Sequence, residues 1–289
     1  MAELDIEAVK RMVMDERCLL AVFAHPDDEA FGVAGTFRRY ADRGVRTALV
    51  CATRGEEGEI SDPALATPAT LGQVREGELR DAAAIMGVED LTFLDYRDAT
   101  LAQADRHEAI GKVVGVIRRL RPQVVVTFDA KGGYGHPDHI AVHRLTVEAF
   151  HQAGDPACYP EQLANGLEAF APRKLYIVAL PRNAMRAARE RMRAQGVELR
   201  PGGNAATIPI EEMGVPDEQI TTTIPLSNRE LDAKLRTMRA HRSQMKADSP
   251  LNRLPPDAVR EWLGTERFVR LYPEGAPGDG AEHDLFAGL

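Results

Sequence analysis

The chain contains no run of about 18 or more apolar residues, so no membrane-spanning helix is expected. Cysteine is scarce: Cys18, Cys51 and Cys158 stand far apart, with no Cys-x-x-Cys. An odd, scattered set argues against a disulfide framework and for a reducing, cytoplasmic setting. Cys18 and Cys51 read as small buried apolar residues. Positive charge is not in excess: 36 Lys and Arg against 44 Asp and Glu leave a net charge of −8. Neither nucleic acid nor an anionic membrane is therefore the expected partner. The stretch from Met1 to Arg17 is acidic and amphipathic, without the basic-then-apolar order of a signal peptide. There is no internal repeat and no low-complexity tract. A homo-oligomer is left open.

What is present suffices for a large core. The 289 residues, 44% hydrophobic, allow one α/β domain or one domain plus a cap. Short apolar runs alternate with amphipathic segments. Strands are expected over 19–24, 47–52, 91–94 and 124–128, and helices over 6–17, 28–43, 71–86, 106–120 and 138–152. The stripe Ile110, Val113, Val114, Ile117 and Leu120 has clear helical spacing. Gly44 and Gly87 stop two of the helices. Such alternation predicts an α/β, Rossmann-like fold: a mostly parallel sheet with helices on both faces. Residues 54–68 lack apolar periodicity and form a loop over the sheet edge.

Beyond residue 154 the pattern changes. Residues 155–172 are irregular, 174–180 form a strand, 184–195 a basic helix and 201–216 a loop. Residues 220–224 are β-like, and Ser227 with Glu230 forms a capping box opening a helix with Leu231, Leu235 and Met238 on one face. Trp262 and residues 268–272 return to the core, and 275–282 form a mobile tail. No linker separates two domains. Residues 1–289 read as one unit, with a core of 1–154 and a C-terminal cap made by 155–289.

Two stretches carry the chemistry. The first apolar strand runs into His25-Pro26-Asp27-Asp28-Glu29. In an open α/β sheet, ligands bind at the carboxyl ends of the strands. His25 and Asp28 offer a nitrogen and an oxygen across a strand-to-helix turn, the ligand chemistry of zinc. A helix start, with Pro26 in the first turn and acids favouring the helix dipole, is an equally open reading here. The second stretch, Gly132-Gly133-Tyr134-Gly135-His136-Pro137-Asp138-His139, follows another buried strand. Two such clusters, each after an all-apolar strand, can converge on one point.

These paired motifs resemble the zinc-dependent N-deacetylases of the GlcNAc-phosphatidylinositol de-N-acetylase (PIG-L, LmbE-like) family, nearest the mycothiol deacetylase and conjugate-amidase branch. The resemblance covers the first half of the chain and weakens after about residue 171, apart from His241-Arg242-Ser243-Gln244. It implies one Zn²⁺ per chain held by His25, Asp28 and His139. Two imidazoles and a carboxylate from two strand ends are also sensible ligands on chemical grounds, with a fourth position open. A metal there lowers the pKa of a bound water and polarises an acyl oxygen. Asp27, beside a ligand, is the candidate general base, and the family gives the matching position that role. The resemblance makes His136 a protonated donor to the oxyanion or departing amine, with Asp138 orienting it or else capping the helix. It gives Tyr134 a part against the tetrahedral intermediate; a surface loop tyrosine is the alternative.

Arg54, after the second strand, either holds substrate hydroxyls or carboxylate, or pairs with Glu56, Glu57 or Glu59. Asp98, after the third strand, is a weaker candidate of the same kind. His241 either faces substrate or answers a helix C-terminus. The expected activity is zinc-dependent hydrolysis of an acetamide on a small polar molecule, an amino sugar of the N-acetylglucosamine type. An amidase acting on thiol conjugates is the alternative. The turn Ala30-Phe31-Gly32 lacks the lysine usual in the mycothiol-conjugate amidases, and Gly132-Gly133-Tyr134-Gly135 looks more like the inositol-glucosamine deacetylase. A metallophosphoesterase usually bridges two metals with carboxylates, whereas three ligands here favour one. A nucleotide-binding module needs Gly-x-Gly-x-x-Gly where this chain has His-Pro-Asp-Asp-Glu.

Overall fold

The computed structural model describes residues 17–194, 206–245, 256–274 and 282–289. All but the last residue of the helix expected over 6–17, the first part of the 201–216 loop and all but the last residue of the 275–282 tail lie outside these. Seven strands form one sheet: β1 Cys18–Phe23, β2 Arg46–Cys51, β3 Asp90–Phe93, β4 Val124–Thr127, β5 Lys174–Val178, β6 Thr222–Pro225 and β7 Thr265–Tyr272. Their order is β3-β2-β1-β4-β5-β7-β6. The first five are parallel and the β5–β7 and β7–β6 pairs are antiparallel. Strands β6 and β7, from the later part of the chain, thus extend the same sheet.

The helices are α1 Asp28–Gly32, α2 Ala34–Asp42, α3 Leu71–Met86, α4 Arg106–Leu120, α5 Pro137–Gln152, α6 Pro160–Ala164, α7 Arg182–Ala194, α8 Asn228–Ala240 and α9 Pro256–Leu263. Successive residues of β1 point to opposite faces, as strand geometry requires. Cys18, Leu20 and Val22 join a core with Ile110, Val113, Val114 and Ile117 of α4 and Val142 of α5. Leu19, Ala21 and Phe23 join a second core with Phe37 of α2, Leu79 of α3 and Leu231 of α8. Each such leucine or valine, removed from water, contributes about 1.5–3 kcal/mol. A central parallel strand buried on both faces reads as an unbroken apolar run, which is why β1 and β4 stand out in the sequence.

Three expectations need correction. The helix expected over 28–43 is two helices, broken at Val33 (φ −139°). The carboxylate of Glu266, on β7, accepts the Gly35 and Thr36 N–H groups at 3.0 and 2.7 Å. It caps a fresh helix start there, and Gly35 lies so close to the Leu226 side chain that a Cβ would require that side chain to shift. The irregular 155–172 stretch contains α6. Glu282, assigned to a mobile tail, is fixed by Lys174, Tyr176 and Thr222. The capping box at Ser227 is as expected, with both of its hydrogen bonds present.

Candidate metal centre and active site

Strand order reverses between β1 and β4, and there the crevice at the carboxyl ends of the strands opens. The two histidine motifs lie immediately beyond these strands. The Asp28 carboxylate accepts the His25 N–H at 2.7 Å, folding the first motif back on itself. His25 Nδ1 lies 3.1 Å from His139 Nε2. Asp28 Oδ1 lies 3.3 Å from His139 Nε2, and its Oδ2 lies 3.7 Å from His25 Nδ1. Donor atoms bonded at about 2.1 Å in a tetrahedron are about 3.4 Å apart, so the three residues have the spacing of a cation's ligands.

The donors also have suitable chemistry. His139 Nδ1 lies 3.2 Å from the Gly132 carbonyl and therefore carries the hydrogen, leaving the Nε2 lone pair aimed at the centre. His25 Nε2 lies 2.9 Å from Asp98 Oδ1 and 3.5 Å from Asp138 Oδ2. These contacts are short but too poorly aligned to count as hydrogen bonds. Burial opposes charge on His25, but the Asp138, Asp98 and Asp28 carboxylates outweigh it and push its pKa up to about 10. Burial, together with the His25 and His136 charges, pushes the His139 pKa down. Burial pushes Asp28 up to about 7. A buried pocket with this much carboxylate around imidazole nitrogens favours a positive charge, as a proton or as a metal. Among the described residues His25, His136 and His139 form one possible metal-holding group, and His25, Asp98 and Asp138 another.

Asp27 adopts φ 115°, a left-handed conformation uncommon for a residue with a Cβ. Its side chain keeps 28% exposure, and Arg75 lies 3.2 Å from its Oδ2. Burial raises the Asp27 pKa against the pull of Arg75. Arg75, only 4% exposed, also donates to the Gly55 carbonyl at 2.8 Å and to the Pro26 carbonyl. Sequence reasoning missed Arg75. Its signal was an arginine on the buried stripe Leu71, Arg75, Leu79, Ala82 and Met86 of α3.

His136 ends the glycine turn with its ring centroid 4.7 Å from that of His25 and 4.8 Å from that of His139. Its Nδ1 accepts the Asp138 N–H at 3.2 Å, so the ring itself caps α5. The Asp138 carboxylate does not orient His136. It accepts the N–H groups of Ala99 and Leu101 at 2.8 and 3.1 Å. Burial and the His25 charge hold the His136 pKa below its usual value, although the Asp138 charge, as expected, and that of Asp98 favour the protonated ring. Tyr134 stands half-buried, its ring edge-on to His139 with centroids 5.0 Å apart.

The expected substrate contacts are placed differently. Asp98 is 5% exposed and lies beneath His25. His241 is 1% exposed and bonded to Glu29 Oε1 at 2.6 Å. Neither presents an open face to a substrate. Arg54 pairs with Glu76 and Asp95 at 2.5 and 2.7 Å rather than with the glutamates of its own loop. With Glu56, Gln73, Glu76 and Arg97 it lines a cleft of about 440 Å³. Glu56, on the wall of this cleft, accepts the N–H of Asp98, which in turn lies against His25.

The family model described as GlcNAc-PI de-N-acetylase matches residues 20–150. The 1D-myo-inositol 2-acetamido-2-deoxy-alpha-D-glucopyranoside deacetylase of Geodermatophilus obscurus is 38% identical over 296 residues, covering 94% of this chain and 98% of the relative. The enzyme of the same name from Acidothermus cellulolyticus is 39% identical, covering 94% and 95%. The solved N,N'-diacetylchitobiose deacetylase of Pyrococcus horikoshii superposes with a TM-score of 0.65 at 19% identity, covering 94% of each chain, and so shares the fold. With near-complete coverage at this identity, the chain belongs to the GlcNAc-PI de-N-acetylase (PIG-L) family.

Proposed function

We propose that the chain is a zinc-dependent N-deacetylase acting on an N-acetylglucosamine unit linked to a polyol, as the names of its full-length relatives describe for them. The observation that carries this is the convergence of His25 Nδ1, His139 Nε2 and the Asp28 carboxylate within 3.1–3.7 Å at the switch point of the sheet. His25, Asp28 and His139 hold one Zn²⁺, and Asp98 supports His25 from behind. When bound, the cation supplies Lewis acidity toward the acyl oxygen and the attacking water.

The protein groups do the rest. Asp27 takes the proton from water, its carboxylate steered by Arg75. His136, with Nδ1 engaged by the Asp138 N–H, keeps its hydrogen on Nε2 and would donate a hydrogen bond to the developing oxyanion, while Asp27 would pass the proton taken from water to the departing amine. Tyr134 adds a phenol beside His139 and His136. The Arg54–Arg97 cleft receives the polyol. Phe31 stands 50% exposed on α1 and brings no charge to the rim, which favours the deacetylase over an amidase acting on thiol conjugates. No helix among the described residues is long and apolar enough to cross a membrane, and all three cysteines are unpaired, in keeping with a cytoplasmic enzyme.

The test is Asp27→Asn. It should retain one zinc per chain by elemental analysis while turnover of the N-acetylglucosaminyl inositol falls by about 10²–10⁴-fold. Turnover within a few-fold of wild type would remove Asp27 as the base.

A further inference from the structure

The block His241-Arg242-Ser243-Gln244 supplies none of the donor atoms, yet it is stitched to the site at several points. His241 Nε2 and Glu29 Oε1 are 2.6 Å apart, and each residue is 1% exposed. Ser243 donates its N–H and its hydroxyl to Glu78 on α3 at 2.7 and 2.6 Å. Ser61, in the loop over the sheet edge, donates to the Ser243 and Arg242 carbonyls at 2.8 and 2.7 Å.

The His241 contact continues inward. The second oxygen of Glu29 accepts the Asp27 N–H at 3.0 Å. Asp27 is the residue with φ 115° and ψ −22°. A side chain in that region persists only where its surroundings over-determine it. The Asp27 N–H is held by a carboxylate that is itself buried, so its direction depends on what holds the other oxygen. Among the described residues that partner is His241, at the end of α8 and 212 positions away.

We propose that His241 is a positioning residue: by gripping Glu29 it fixes the Asp27 backbone in the left-handed conformation that aims the Asp27 carboxylate at the metal centre. This rests on Asp27 being the base. His241 does not touch substrate; it acts through Glu29.

Two substitutions isolate the hydrogen bond from the bulk of the ring. His241→Met fills the space without a donor. His241→Gln places an amide N–H near the position of Nε2. With zinc-loaded full-length protein and the N-acetylglucosaminyl inositol, His241→Met should keep one zinc and a KM within about twofold, while kcat falls about 10²-fold, the scale of a misaimed group. His241→Gln should restore kcat to within about tenfold of wild type. A crystal structure of His241→Met should show Asp27 out of the positive-φ region. Equal kcat in the two variants, or a positive φ retained in His241→Met, would overturn the proposal. Should His241→Met not fold, a folded, zinc-replete His241→Gln with kcat down by 10²-fold or more would overturn it equally. Asp27→Asn separates the two ideas. Full activity there removes the base, whereas an inactive Asp27→Asn beside a fully active His241→Met removes only the brace.

Discussion

His25 is held from both sides of its ring. Nδ1 faces His139 and Asp28, and Nε2 faces Asp98 at 2.9 Å. A carboxylate behind a ligating imidazole makes the ring a better donor, here through its charge and proximity rather than through an aligned hydrogen bond. Asp98 is in turn anchored, accepting the Glu57 N–H at 3.1 Å. Burial alone would raise its pKa, but contact with His25 holds it far below the usual carboxylate range. Asp98→Asn should therefore weaken zinc binding by about 10–100-fold, measured by competition with a chromophoric chelator. Unchanged affinity would mean that Asp98 has no bearing on the metal. The sequence marked Asp98 as functional but pointed it at substrate. The reason is physical: 73 residues separate it from His25, and nothing local says which way a side chain after β3 turns. That His25, Asp28 and His139 converge was legible because they follow two buried strands, and parallel strands carry their carboxyl ends to one edge.

Among the elements, the glycine turn between β4 and α5 sets the positions of Tyr134 and His136. Gly133 and Gly135 have φ of 69° and 90°. The turn does not stand alone, because Thr207 donates its N–H to the Tyr134 carbonyl at 3.1 Å and its hydroxyl to the Gly135 carbonyl at 2.5 Å. A Cβ on Gly135 would lie 2.4 Å from Thr207 Oγ1. Gly135→Ala carries both a strained backbone and this collision. It should lower kcat by about 10²-fold with zinc retained, since small misplacements of reacting groups cost that much. Zinc-replete protein with wild-type kcat would show that the turn tolerates displacement. The sequence exposed the glycines but not Thr207, whose approach depends on the later half of the chain. The break at Val33 was hidden for the same reason: its cause is Glu266, more than 200 residues away. Amphipathic stripes such as that of α4 were legible because they follow from the periodicity of the helix alone.

At the scale of the molecule, the last residues close the sheet. Glu282 pairs with Lys174 at 2.6 Å and accepts from Tyr176 and Thr222 at 2.9 and 2.6 Å, tying the end of the chain to β5 and β6. Beyond it Leu285 and Phe286 are buried, with Phe286 against Tyr40 of α2. Burial pushes the Glu282 pKa up, but the contacts with Lys174, Thr222 and Tyr176 outweigh it and hold it below the ordinary value. The sign follows from linkage. A carboxyl group with a lower pKa folded than unfolded binds its proton more tightly in the unfolded chain. Its stabilisation is complete above the unfolded value of about 4.3 and is lost as pH falls through the lower folded value. Glu282→Gln should cost about 1–3 kcal/mol at neutral pH, because Lys174, 4% exposed, loses its carboxylate. Denaturant unfolding at pH 7 and at about pH 3 should show that difference shrink on acidification, as wild-type Glu282 itself becomes protonated. A gap that stays constant across this range would mean that the charge of Glu282 contributes nothing and that packing alone holds the C-terminal segment in place.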